Sequence, residues 1–271
     1  MAEKIISPGV FQNESDQSLV QRGIQGTATA IVGPTVLGRP YVPTYVTSYS
    51  EYLSKFGSTF KSGSYYYEYF TSMAAKEYFS NGGQTLLVTR IISGSQYGTY
   101  AQSSVPAIDA PDTFVIETLA WGDQMNNTSS MVSGALASGS SQNVRWEVTQ
   151  VSTGSNGGTF TIVVRRGDDN NAQKNVLETW ANVSLDPQLP NYISRVIGDL
   201  KPVYDTTTGQ VNFTGNYANQ SQYVRVASVT TPNVDSIDNN GNFKTGSYAA
   251  TLPLVGSGSA YGGFAGGVAD T

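Results

Sequence analysis

Val144-Arg145-Trp146-Glu147-Val148-Thr149, then a Gly/Ser/Asn loop, then Phe160-Thr161-Ile162-Val163-Val164: the reading of these two runs decides the architecture. Val144, Trp146 and Val148 alternate with Arg145, Glu147 and Thr149, and Phe160, Ile162 and Val164 alternate in the same way. Side chains of a strand point to opposite faces in turn, so each run gathers its apolar residues on one face. The loop Ser152 to Gly158 reverses the chain, which predicts an antiparallel hairpin with one buried face.

Working outward, Ser93 to about Tyr204 keeps this texture of short alternating runs between Gly/Ser/Asn turns, the mark of an antiparallel β domain. Past Asp186-Pro187, the stretch Tyr192 to Gly198 spaces its apolar residues helically and ends on a capping glycine, predicting a helix laid over the sheet. Before residue 93 the pattern differs. Gly26 to Gly33 reads as a strand of small and β-branched residues stopped by Pro34. Ser48-Tyr49-Ser50-Glu51 has capping-box spacing and Gly57 supplies a stop, bracketing a helix through Tyr52, Leu53 and Phe56. A second helix is predicted from about Tyr65, with Tyr67, Phe70, Ala74 and Tyr78 on its buried face and Asn81-Gly82-Gly83 at its end. Leu86 to Ile92 is the next strand, so this segment reads as a layered α/β unit.

The two ends are irregular. Ile5, Ile6, Val10 and Phe11 flank the breaker Ser7-Pro8-Gly9, and Leu19 and Val20 follow a polar stretch. Neither apolar piece holds a core alone, so the segment reads as an arm that adds a strand to a neighbouring subunit's sheet, or as a frayed or internally paired terminus. Ile5, Ile6, Pro8, Gly9, Val10, Phe11, Leu19 and Val20 are the expected inter-subunit contacts. Gly256 to Gly267 holds six glycines without periodicity and reads as a linker or flexible tail.

Composition narrows the chemistry. The chain has 271 residues, about two domains' worth, and neither cysteine nor histidine, which excludes thiol nucleophiles, disulfides and Cys/His zinc sites. Carboxylate-pair, Ser-Lys and Tyr-based mechanisms remain chemically open. Charged residues make up 13%, about half the usual share, while seventeen tyrosines offer amphipathic contact area, a balance that suits a self-packing protein. A net charge of −5 with no basic run longer than Arg165-Arg166 points away from nucleic acid. No signal-peptide pattern opens the sequence and no apolar run has membrane-spanning length, so no membrane insertion is expected.

Three local patterns carry residue types found at binding or catalytic sites. Asp238-Asn239-Asn240-Gly241 suggests a calcium loop, but Ser236 and Ser247 stand at its first and twelfth positions, and Asn240-Gly241 favours a hairpin turn. Gly256-Ser257-Gly258-Ser259-Ala260-Tyr261 misses a dinucleotide fingerprint at Tyr261. Asp168 and Asp169, with Glu178, hint at a carboxylate pair; adjacent aspartates at a strand end point to opposite faces, and with Asn170 and Asn171 they read as a solvated turn. Neither a metal nor a cofactor is expected.

Several segments, in order, resemble the tail sheath family of contractile phage tails and related injection machines. They are Ile6-Ser7-Pro8-Gly9-Val10, Val32-Gly33-Pro34 with Gly38-x-Pro40, Val46 to Glu51, Phe56-Gly57, Tyr78 to Gly83, and Val88-Thr89-Arg90-Ile91. Glu117 to Gly122 leading to Asn126-Asn127, Val176 to Thr179, Asn182 to Pro187, and Pro190-Asn191-Tyr192 continue the series. The resemblance implies α/β plus mainly antiparallel β: an inter-subunit arm at 1–22, the first part of a split inner α/β domain at 23–93, an inserted outer β-rich domain at 94–248, and a Gly-rich return segment at 249–271 leading toward a C-terminal part. It further implies rings of subunits that polymerise around a tail tube and contract, with no cofactor. The implied partners are other copies of the chain, the tail tube protein, and baseplate and tail terminator proteins, in a virion tail assembled in the host cytoplasm. The competing readings are a β-rich surface-binding module of a tail fibre or adhesin, and a carboxylate-dependent glycosidase using Asp168, Asp186 and Glu178.

Overall fold

The protein is described from a computed structural model covering residues 29–62, 65–91, 99–108, 112–127, 130–152, 158–205, 207–208, 210–230, 239–240, 242 and 252–268. Its first unit runs β1 (Thr29–Gly33), β2 (Thr44–Val46), α1 (Tyr49–Phe56), β3 (Thr59–Ser62), β4 (Tyr65–Glu68), α2 (Phe70–Ser80) and β5 (Leu86–Arg90). β5 lies at the centre of a three-stranded sheet, parallel to β1 with Ile31 opposite Val88, and antiparallel to β2 with Tyr45 opposite Leu87. A parallel pair needs a long crossover, and α1 and α2 lie on it. Val46, Tyr52, Phe56, Ala75, Leu86 and Val88 form the core between the helices and this sheet.

Both ends of α1 follow their sequence signals. Ser48 Oγ accepts from the Glu51 amide at 3.2 Å, while the Glu51 carboxylate accepts from the Thr47 amide at 2.7 Å, one residue before the usual reciprocal partner. Gly57 leaves the helix at φ 68°, its amide held by Leu53 O at 3.0 Å. The second helix is different from expectation. It begins only at Phe70, because Tyr65–Glu68 pairs antiparallel with Thr59–Ser62 as a hairpin in which the Tyr67 ring stacks on Phe60 at 5.9 Å. Three consecutive tyrosines favour a pleated strand, and their helical spacing to Phe70 and Ala74 was coincidental. The buried face of α2 is therefore Thr71, Ser72 and Ala75, with Phe70 and Ala74 turned outward.

The second unit comprises β6 (Tyr100–Val105), β7 (Phe114–Trp121), β8 (Met131–Val132), β9 (Ala135–Leu136), β10 (Val144–Ser152), β11 (Thr159–Arg166), β12 (Val176–Val183), α3 (Ile193–Ile197), β13 (Lys201–Asp205), β14 (Gln210–Thr214) and β15 (Val224–Val229). The expected hairpin is β10–β11, in register with Trp146 opposite Val164 and Val148 opposite Ile162. β12 extends it to three strands, and a second antiparallel sheet has the order β15-β7-β6. Their inner faces share one core, where Phe114 stacks on Phe160 with ring centroids 5.6 Å apart and Trp146 Nε1 donates to Ser103 Oγ at 2.7 Å. Ile193 and Ile197 of α3 complete that core, and Gly198 ends the helix as predicted. Arg90, at the end of β5, ties the units together: its Nη1 donates to Gly38 O at 2.8 Å and to Trp121 O at 3.2 Å. Among the described residues the architecture is thus mostly β, with several antiparallel sheets and three short α-helices.

The Gly-rich segment is no free linker over its described part. Residues 252–268 lie along the edges of both three-stranded sheets of the second unit: Gln102 exchanges two backbone hydrogen bonds with Ala265, and Val148 exchanges two with Gly256. Leu254 donates to Pro106 O at 2.9 Å, and Trp146 donates to Gly262 O at 3.0 Å. Leu252 and Phe264 are buried in the shared core. Its hydrogen bonds run to distant strands, so no local periodicity announces it. Gly262, at φ 77°, shows why glycine is needed: a Cβ there would sit 2.0 Å from Trp146 O. Gly262→Ala is expected to cost about 2–4 kcal/mol, combining left-handed strain with overpacking against backbone, seen as a lowered urea midpoint with an unchanged slope.

Candidate functional site

The arm residues Ile5, Ile6, Pro8, Gly9, Val10, Phe11, Leu19 and Val20 lie outside the described residues. What the described residues do place is surface suited to contact. Among them, no strand pairs with the outer edges of β1 and β2, and the β3–β4 hairpin stands as a two-stranded sheet. Tyr65 and Tyr66 are 71% and 72% exposed and the neighbouring Phe70 87%, so apolar area collects beside unpaired strand edges. Phe70, expected in the core, is the most exposed large apolar side chain described. Its position at the first turn of a helix starting later than predicted explains the difference.

The carboxylates singled out from sequence are dispersed into separate structural tasks. Glu178 on β12 accepts from Ser221 Oγ at 2.6 Å and the Gln222 amide at 2.9 Å, tying that strand to the loop before β15. Asp186 accepts from the Gln188 amide at 2.9 Å within its own turn. Asp168 is part-exposed and pairs with Arg166. Asp169, read as solvated, is instead 1% exposed. It forms a two-pronged pair with Arg165, Nε to Oδ2 at 2.7 Å and Nη2 to Oδ1 at 2.8 Å, and also accepts from Arg145 at 3.3 Å.

This pairing corrects the reading of the hairpin as well. Arg145 and Arg165 are direct cross-strand neighbours on the face opposite the apolar core, and the turn after β11 folds back so that Asp169 and Asn171 cover them. Glu147 completes the arrangement, accepting from Arg165 at 2.9 Å and from Lys174 at 2.7 Å. Two like charges facing each other on a strand pair would repel, so the covering carboxylates are required. A legible signal existed: two opposed arginines, with an Asp-Asn-Asn turn starting four residues after the second.

A second ionic seam crosses the other sheet. Arg225 on β15 faces Glu117 on β7, both buried, and Arg225 Nε pairs with Glu117 Oε1 at 2.5 Å. Gln102 Nε2 and Lys201 Nζ reach Glu117 Oε2 at 3.0 and 3.2 Å. Burial by itself would raise the Glu117 carboxyl; the Arg225 charge and the hydrogen bonds from Gln102 and Arg225 outweigh it and hold the pKa below the ordinary value. Glu147 is lowered likewise, burial being outweighed by Lys174 and Arg165. Between α1 and the second unit opens a cleft of about 860 Å³, lined by Arg39, Phe56, Ala120, Gln142 and Tyr223 among others. Among the described residues no cluster of three acidic side chains is placed to hold a metal ion, and no helix is long and apolar enough to cross a membrane.

No protein-family profile and no curated protein matches this chain. Among solved structures, the crystal structure of a sheath tail protein from Desulfitobacterium hafniense is similar over 80% of this chain, at 13% identity and a TM-score of 0.36. The chain spans 38% of that protein's length, and a likeness this loose fixes neither fold nor family.

Asp169→Asn is expected to lower stability by about 3–5 kcal/mol, since it strands two buried arginines, while Asp168→Asn at the part-exposed neighbour stays within about 0.5 kcal/mol; urea unfolding reads both. The pH dependence follows from the depressed glutamates. Their contribution is fully present above the ordinary glutamate pKa, about 4.3, and is lost as pH falls through the lower folded values. Melting temperatures are therefore expected to drop on acidification below that point, and Glu117→Gln is expected to remove part of the slope.

Proposed function

We propose that this chain is a structural subunit of a contractile tail sheath, which polymerises around a tail tube and contracts to drive the tube through a host envelope. What carries the reading is the ordered series of family-like motifs from Ile6 to Tyr192. The structural positions of those motifs are compatible with it. Val32-Gly33-Pro34 ends β1, Ser48 and Gly57 bracket α1, Asn81 to Gly83 links α2 to β5, and Arg90 joins the two units. In this reading the split inner α/β domain carries an inserted outer β domain, and the 1–22 arm adds a strand to a neighbour. Partners are other copies of the chain, the tail tube protein, and baseplate and terminator proteins, in the virion tail.

The energetics are mechanical. An arm adding four to six backbone hydrogen bonds at about 1 kcal/mol each contributes roughly 4–6 kcal/mol, enough to tether a subunit when summed with other contacts. Contraction draws on extra area buried between subunit bodies, at about 25 cal/mol per Å² of apolar surface, through repacking of a repeated interface. No bond-making chemistry enters. Deleting residues 1–20 is expected to leave a folded subunit that forms no ordered tubes by negative-stain microscopy, whereas the full-length protein forms them. Normal tubes from the truncated chain would remove the arm's role. A full-length chain that stays monomeric and binds glycans on an array would move the assignment to a fibre or adhesin module.

A further inference from the structure

We infer that the outward stripe of α2, made by Phe70, Met73 and Ala74, docks on the bare face of the β1-β5-β2 sheet in a second copy of the chain. This names a contact between subunit bodies, apart from the arm, and rests on the sheath function only in that copies of the chain associate. Over its first two turns α2 buries its smaller residues, Thr71, Ser72 and Ala75. It leaves Phe70 87% and Met73 42% exposed, with Ala74 exposed beside them. Positions i, i+3 and i+4 share one helix face, so the three form a single apolar stripe, ended by Glu77 one turn further on. Phe70 and Ala74 carry the spacing of a buried face, and the chain's own core does not receive them.

The sheet lacks what the helix offers. Val46, Leu86 and Val88 point to the helices, so the alternate residues Ala30, Val32, Tyr45, Leu87 and Thr89 share the other face, with Val32 opposite Thr89 and Tyr45 opposite Leu87. None of the five is charged, and Val32 and Tyr45 are 64% and 61% exposed. Strands paired in parallel, as β1 and β5 are, are ordinarily covered by helices on both faces. The chain's own α2 cannot supply that second layer, because Ala75 sits in the core with Leu86 and Val88 and Thr71 lies against Gly33 of β1 on the inner face. A second copy can. The 11 residues of α2 span about 16 Å and the five-residue strands β1 and β5 about 17 Å, so stripe and face match in length. Phe70 brings about 200 Å² of ring surface, well short of the roughly 800 Å² per partner of a free-standing interface, so the contact suits a repeat within a larger assembly. Donor and acceptor surfaces differ, which makes the contact head-to-tail and lets it propagate from copy to copy.

The test uses the full-length protein, whose sequence has no cysteine, so that introduced thiols report only on themselves. Met73→Cys protein is mixed under mild oxidation with Val32→Cys protein, and separately with Tyr45→Cys protein, each variant alone serving as control. Disulfide-linked dimers are expected in the mixtures and not from Met73→Cys alone. Mixtures without such dimers, or equal dimer yield from Met73→Cys alone, overturn the proposal. A second measurement follows Phe70→Ser by sedimentation. The concentration at which the protein assembles is expected to rise about tenfold or more through loss of the buried ring, while the melting temperature of the subunit stays unchanged because Phe70 faces solvent there. An unchanged assembly threshold overturns the contact. Tubes formed by Phe70→Ser at the wild-type threshold leave the sheath function standing without this contact, whereas mixed dimers from a protein that never forms tubes keep the contact and remove the sheath function. A full-length chain that stays monomeric and gives no mixed dimers overturns both.

Discussion

The seam made by residues 252–268 is the constraint on which the second unit rests. Each of its two three-stranded sheets has an outer strand, β6 on one and β10 on the other, whose backbone groups would otherwise be unpaired. The last segment reaches both, bonding Gln102 and Pro106 on one side and Trp146 and Val148 on the other. Leu252 and Phe264 then plug the shared core from the rim. Because the backbones approach so closely, side chains are excluded at Gly262, and the composition of the segment follows from that geometry.

Charge is used sparingly, and four arginines carry part of it into the interior. Arg90, Arg145, Arg165 and Arg225 are all fully buried, and each crosses from one structural element to another. Arg145 and Arg165 hold a turn over one sheet, Arg225 joins β15 to β7 and donates to Leu200 O just before β13, and Arg90 bridges the two units through carbonyl oxygens. A guanidinium with several fixed partners resists rotation better than apolar contact does, because each displaced hydrogen bond in a dry site must be remade. Under the proposed function this favours bodies that move as wholes, with rearrangement confined to the surfaces between copies.

Where the chain pairs locally, the fold was legible in the residues. The alternation of 144–148 and 160–164 specified strands, partner and inner face, and Ser48 with Gly57 bracketed α1 to the residue. Failures came where long-range contacts overrode local pattern. Tyr65 to Tyr67 fit helix and strand spacing equally, and only pairing with Thr59–Ser62 settles the matter. Asp168 and Asp169 read as a solvated turn because charged residues usually are exposed; the turn that buries Asp169 depends on its attraction to Arg145 and Arg165. The Gly-rich segment has no pattern of its own since its partners lie over a hundred residues away in some cases, as with Thr99 and Gly266. The candidate arm lies outside the described residues, whereas Tyr65, Tyr66 and Phe70, which fit a helical pattern, are exposed because Tyr65–Glu68 is a strand and α2 starts only at Phe70.

The distance along the chain between the sheet edges and the segment that seals them has a consequence for biosynthesis. About a hundred residues separate the end of β10 from Leu252, and at translation rates of roughly 5–20 residues per second the nascent sheets wait on the order of 5–20 seconds with open rims. Such rims are templates for mispairing between neighbouring polysomal chains. Yield of native protein is therefore governed by how quickly the ribosome delivers the closing glycines, a kinetic hazard fixed by topology rather than by final stability.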